Sequence, residues 1–154
     1  MELRSILTAK KVGDVTLKAV PILDGSASLK QAAAEMRKHH HGCALVCDQG
    51  KLTAIVTERD ILKYLANHTE LEISVTQVMT KNPHTVKENE TLFSVVKLMD
   101  QGGYRRLPVT NSNNEPLGIV DVKTVTHFLV EHFPSAVYNQ AAHTQSITQH
   151  REGA

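Results

Sequence analysis

Two four-residue runs carry the polar groups best placed for chemistry. Thr57-Glu58-Arg59-Asp60 lies in AIVTERDIL (54–62), and Asp121-Val122-Lys123-Thr124 lies in GIVDVKTVT (118–126). Each sets a hydroxyl and a carboxylate three residues apart, behind apolar β-branched residues and ahead of helix-like sequence. The order of the pair is reversed between them. An ionised carboxylate only accepts hydrogen bonds, and its two oxygens can serve two hydroxyl donors at once. The same spacing also suits a capping box at a helix start. Residue types alone leave both roles open. Asp caps as well as Thr, so the exchange preserves capping while it changes the chemistry offered beside the helix.

Other residues invite chemistry less strongly. His39-His40-His41 precedes Cys43 and Cys47 in GCALVC (42–47). No second pair of ligands stands at zinc spacing, so the histidines read as a helix end and turn, and no metal site is expected. Cys43 and Cys47 share a face of one strand about 13 Å apart at ~3.3 Å per residue. That is too far for a disulfide, so buried free thiols are expected. Arg105-Arg106 precedes Leu107-Pro108-Val109, and an arginine fork matches phosphate oxygens. Alternation along a strand sends the two arginines to opposite faces. There is no nucleophile–base arrangement, no P-loop and no paired carboxylate set, so an enzyme is not expected.

The elements that must position these groups occur twice. The chain has 154 residues, 41% apolar and 21% charged, with a net charge of +1. Such a balance gives no general pull toward nucleic acid or anionic membrane. No apolar run nears the ~20 residues of a membrane span, and the first residues lack a signal-peptide core, so a cytoplasmic location is expected. Leu29/Ala32/Ala33/Met36 and Leu92/Val95/Val96/Met99 repeat at helical spacing, with Ser28 and Thr91 as caps. Apolar strands follow at 42–48 and 105–111, then turns, return strands at 52–56 and 117–120, and second helices at 58–66 and 122–132. Each half reads β-α-β-β-α, an α+β class. A half of ~60 residues buries too little surface to stand comfortably alone. We therefore expect repeats at 12–66 and 75–132 sharing one core as a pseudo-two-fold pair. Residues 67–74 read as a linker, and 133–154 as a largely irregular tail with a short helix allowed at 135–142.

VTQVMTKNP (75–83), TLFSVVKLM (91–99), YRRLPV (104–109) and LGIV (117–120), with VGDV (12–15) and AIVTERDIL in the first half, resemble the pattern of the CBS (cystathionine-β-synthase) domain. The whole is similar to a stand-alone tandem pair, the Bateman module. The resemblance implies a regulatory module whose two inter-repeat clefts bind adenosine-containing ligands such as AMP, ADP, ATP or S-adenosylmethionine. No cofactor is required beyond that regulatory nucleotide. It further implies a homodimer and a separate effector protein that receives the signal. In one cleft Thr57 and Asp60 hold the ribose, facing Thr85, Tyr104, Arg105, Arg106, Leu107 and Pro108 of the other repeat for base and phosphate. Tyr104 is equally well read as packing. The opposite cleft combines Asp121 and Thr124 with Ile22, Gly42, Cys43 and Ala44. It departs from the family at the polar pair and has Gly42 and Cys43 where the arginines stand. One competent nucleotide site is therefore expected. The alternative is an interaction module without a physiological nucleotide, in which TERD only caps its helix.

Overall fold

The computed structural model describes residues 3–132, which form five helices and seven strands in two sheets. The elements read from periodicity recur in the first repeat as β1 (Ile22–Asp24), α2 (Leu29–Lys38), β2 (Cys43–Asp48), β3 (Lys51–Thr57) and α3 (Glu58–Leu65). The second repeat supplies β5 (Val86–Lys87), α4 (Leu92–Gly102), β6 (Arg106–Thr110), β7 (Pro116–Asp121) and α5 (Val122–His132). In each, the first strand runs parallel to the second, which hairpins into an antiparallel third. Position 133 onward, including the short helix allowed at 135–142, lies outside the described residues.

Local chemistry explains the boundaries. Ser28 Oγ accepts from the Gln31 amide at 3.1 Å, and Gln31 Oε1 accepts from the Ser28 amide at 2.9 Å. This reciprocal box starts α2 and leaves Leu29, Ala32 and Met36 on its buried face. Thr91 caps α4, which ends at Gly103 in the left-handed region (φ +68°), a conformation that glycine adopts without a Cβ penalty.

The two repeats exchange the segments that lead into them. β4 (Thr80–Lys81), just ahead of β5, pairs with β3 of the first repeat. Reciprocally, Lys18, ahead of β1, exchanges two backbone hydrogen bonds with Ile119 on β7, at 3.0 and 2.9 Å. The turn before β7 also reaches across: Asn114 Nδ2 donates to the Leu52 carbonyl, and the Leu52 amide donates to the Asn114 carbonyl. Each repeat keeps its own cluster of buried apolar side chains, around Leu29, Val46 and Val56 in one and Leu92, Leu107 and Val120 in the other. A third cluster, Cys43, Leu45, Cys47, Leu52, Ile55 and Ile119, lies between the sheets and makes the core joint.

Two features extend the expected plan. An N-terminal helix, α1 (Leu3–Ala9), sets Leu7 into the second repeat's core. Residues 67–74, read as a polar connection, also fasten α2: Ile73 and Leu71 carbonyls accept from the Leu29 and Lys30 amides, and both side chains pack on the first core.

Cys43 and Cys47 are free thiols, 2% and 7% exposed. Burial pushes both thiols above their ordinary pKa. The thiolate is the reactive species, so both should react with a disulfide reagent at least ~100-fold more slowly in the native protein than in urea. Kinetics of thiol release in the two conditions test this.

Candidate functional site

The exchanged polar pairs build the same corner twice. At the start of α3, Asp60 Oδ2 accepts from the Thr57 amide (2.8 Å) and hydroxyl (3.0 Å), while Thr57 Oγ1 accepts from the Asp60 amide (3.3 Å). At the start of α5, Asp121 Oδ1 accepts from the Thr124 amide (2.8 Å) and hydroxyl (2.9 Å), while Thr124 Oγ1 accepts from the Asp121 amide (3.3 Å). Each contains one hydroxyl, one carboxylate and three hydrogen bonds. Reversing the order leaves the cap intact, because either oxygen-bearing side chain can serve either end of the box.

The remaining carboxylate oxygens differ. Asp60 Oδ1 receives no hydrogen bond from the described residues, and Asp60 is half-buried at the surface. Asp121 Oδ2 receives the Lys18 ammonium at 2.7 Å, in a site where the Asp121 side chain is 12% exposed. Burial acts to raise the Asp121 pKa, but the Lys18 and Thr124 donors together hold it below its ordinary value of 3.8. A depressed folded-state pKa contributes stability above the unfolded value, and that contribution fades as pH falls below it. The melting-temperature difference between wild type and Asp121→Asn should therefore be full at pH 5 and shrink below about pH 3.8. Thermal melts from pH 5 to strong acid provide the measurement.

The other expected site residues divide. Arg105 is exposed, and its carbonyl accepts from the Val122 amide, as the Gly42 carbonyl accepts from Glu58 in the other repeat. Arg106 reaches across to Gly42: a Cβ there would lie 2.6 Å from Arg106 Nη2 and 3.2 Å from Glu58 Oε2. Gly42 therefore makes room for the arginine of the opposite repeat. A cavity of about 140 Å³ gathers Gly42, Cys43 and Asp121 with Lys18, Arg106 and Lys123. The second cleft, read as short of phosphate-friendly groups, is bordered by three cations. Val20 faces this cavity, whereas Ile22 on β1 is 57% exposed. Thr124 lines a larger adjoining cavity of about 740 Å³ along α5, which shares Lys18 and Lys123 with the smaller one.

Tyr104 lies over Gly102 and tilts against His84, with ring centroids 4.9 Å apart, and packs on the second repeat's core. Leu107 and Pro108 are buried on β6, Ala44 is fully buried in the first core, and Thr85 is half-buried ahead of β5. None of these five lines either the 140 Å³ or the 740 Å³ cavity. His40 and His41 border the small cavity, yet no group of three or more His, Cys, Asp or Glu among the described residues is placed to hold a metal. Among the described residues, no helix is long and apolar enough to cross a membrane. Lys18, Lys123 and Val20 escaped the sequence reading.

Comparison with known proteins agrees with this architecture. The CBS domain family model matches residues 12–67 and again 75–131. A relative in Acidianus ambivalens, an uncharacterized 17.7 kDa protein in the bps2 3′ region, is 31% identical over 124 residues, covering 80% of this chain and 75% of its own. The solved CBS domain pair of protein MJ0100, in complex with 5′-methylthioadenosine and S-adenosyl-L-methionine, superposes with a TM-score of 0.71 at 26% identity, covering 80% of this chain and 98% of that one. The CBS domain protein PAE2072 from Pyrobaculum aerophilum, complexed with AMP, has the same fold, with a TM-score of 0.71 at 21% identity over 86% of this chain and 98% of that one.

Proposed function

The chain belongs to the CBS domain family as a tandem pair, and from that premise we propose that it is a non-catalytic sensor binding one adenosine-containing nucleotide, such as AMP, ADP, ATP or S-adenosylmethionine. The site is the cleft at Thr57 and Asp60, with base and phosphate walls from the second repeat. Occupancy is passed to a separate effector protein, in the cytoplasm. The observation that carries this reading is the open Oδ1 of Asp60, held in place by a box that engages only Oδ2. A fixed carboxylate with one oxygen to spare is a pre-organised acceptor for a ribose hydroxyl. The ligands in the MJ0100 and PAE2072 complexes carry such hydroxyls and support the same class. Isothermal titration with the four candidate ligands tests the proposal, and no binding at millimolar concentration would sink it.

A second observation favours an interaction role. α3 fully buries none of its residues, and Leu62 and Leu65 are 68% and 39% exposed, with Val122 of α5 at 49%. Apolar helix surface of this kind suits a second copy of the chain, and we place the homodimer contact there. Under the alternative reading this surface is the whole function and TERD is only a cap. The melting temperature would then stay fixed when nucleotides are added, whereas a bound ligand raises it by mass action.

A further inference from the structure

The second cleft differs from the first by more than its exchanged polar pair. Lys18 is fixed by backbone, since its amide and carbonyl both bond Ile119 on β7. Ile119 and Asp121 lie on the same face of that strand, two residues apart. The lysine side chain thus runs to the Asp121 carboxylate and ends 2.7 Å from Oδ2. It lines both the small cavity and the larger one along α5. In the other repeat Thr80 pairs with Ile55, which stands two residues before Thr57 as Ile119 stands before Asp121, so an uncharged side chain takes the place of Lys18 there.

We infer that Lys18 is a built-in occupant of the second cleft: its ammonium holds the carboxylate oxygen that a ribose hydroxyl needs, and so limits the chain to one nucleoside ligand. The inference rests on the reading of Asp60 given above. Asp121 Oδ1 is engaged by Thr124 and Oδ2 by Lys18, so each oxygen already has a donor. The ammonium, 2.7 Å from Oδ2, adds the attraction of a full positive charge, which a neutral hydroxyl donating to the same carboxylate lacks. A ribose hydroxyl that took the place of the ammonium would give up that attraction, and Lys18 lines the cavity from which it would have to approach. The other cleft groups do not oppose a nucleotide, because Arg106 and Lys123 border the cavity and attract phosphate. Lys18, rather than the exchanged pair, closes the site.

Titration of the full chain with AMP tests the assignment in wild type and Lys18→Met, each with and without Asp60→Ala. Methionine keeps the unbranched stem and the strand pairing while removing the charge. The expected counts of sites per chain at wild-type affinity are one for wild type, two for Lys18→Met, one for Lys18→Met/Asp60→Ala and none for Asp60→Ala. Lys18→Gln replaces the methionine variant if the latter melts below the assay temperature. A folded Lys18 variant that still binds one AMP overturns the inference and leaves the Asp60 reading standing. Two sites in wild type overturn it as well. Binding only after Lys18 is changed, and insensitive to Asp60→Ala, supports the inference while the Asp60 reading fails. Absence of binding in every protein overturns both.

Discussion

Asp60→Ala should weaken nucleotide binding by roughly 10- to 150-fold while the protein stays folded. Hydrogen bonds to a charged group contribute about 1.5–3 kcal/mol, and each ~1.4 kcal/mol is a factor of ten in affinity. The same change removes the acceptor for the Thr57 amide and hydroxyl. Loss of a capping interaction costs about 1 kcal/mol, a melting-temperature drop of a few degrees at this chain length. The two effects separate in Asp60→Asn. Its side-chain carbonyl still accepts one hydrogen bond, so most of the cap survives while the charge facing the ligand is gone. Affinity should fall in both variants, and stability mainly in Ala. Isothermal titration and thermal melts on the three proteins measure this. Undiminished affinity in folded Asp60→Ala would assign the Thr57–Asp60 box to capping alone.

The legible part of this molecule was local. Helix starts at Ser28, Thr57, Thr91 and Asp121 announce themselves through oxygen-bearing caps before apolar stripes, and the structure bears them out with a capping hydrogen bond at each. The tandem repeat and its family pattern were equally plain, because periodicity and motif order survive in one dimension. The cleft contents were harder to read. Lys18 and Asp121 are 103 positions apart and meet only because the lead-in segments cross between repeats. Arg106 reaches Gly42 for a related reason: the missing Cβ at 42 is informative only once the opposing strand is known to face it. Tyr104 packs on Gly102 and His84, which its type could not distinguish from stacking on a base. The exchanged polar pair, with Gly42 and Cys43 where the other repeat has arginines, looked sufficient to silence the second cleft. The ion pair is a long-range partner that no local pattern encodes.

Gly118→Ala should destabilise the fold by about 3 kcal/mol and lower the melting temperature by roughly 10 °C. Gly118 sits on β7 at φ +148°, a conformation that side chains rarely adopt. A Cβ there would come within 2.9 Å of both the Leu17 Cβ and the Lys18 carbonyl oxygen. The carbonyl is backbone, so no rotamer change relieves the contact. The lead-in segment must move away from β7, and the paired bonds between Lys18 and Ile119 go with it. Gly50→Ala is the matched control. Gly50 also has positive φ (+78°), but no atom lies within 4 Å of its added Cβ, so that variant reports backbone strain alone, about 1 kcal/mol. The excess loss in Gly118→Ala measures the close approach of the crossing segment. Equal melting temperatures in the two variants would show that the approach contributes nothing to stability. The crossing segment also delivers Lys18 to Asp121, so the acid-dependent part of stability should shrink in Gly118→Ala and persist in Gly50→Ala. One glycine without a side chain thus couples the joining of the repeats to the closure of the second cleft.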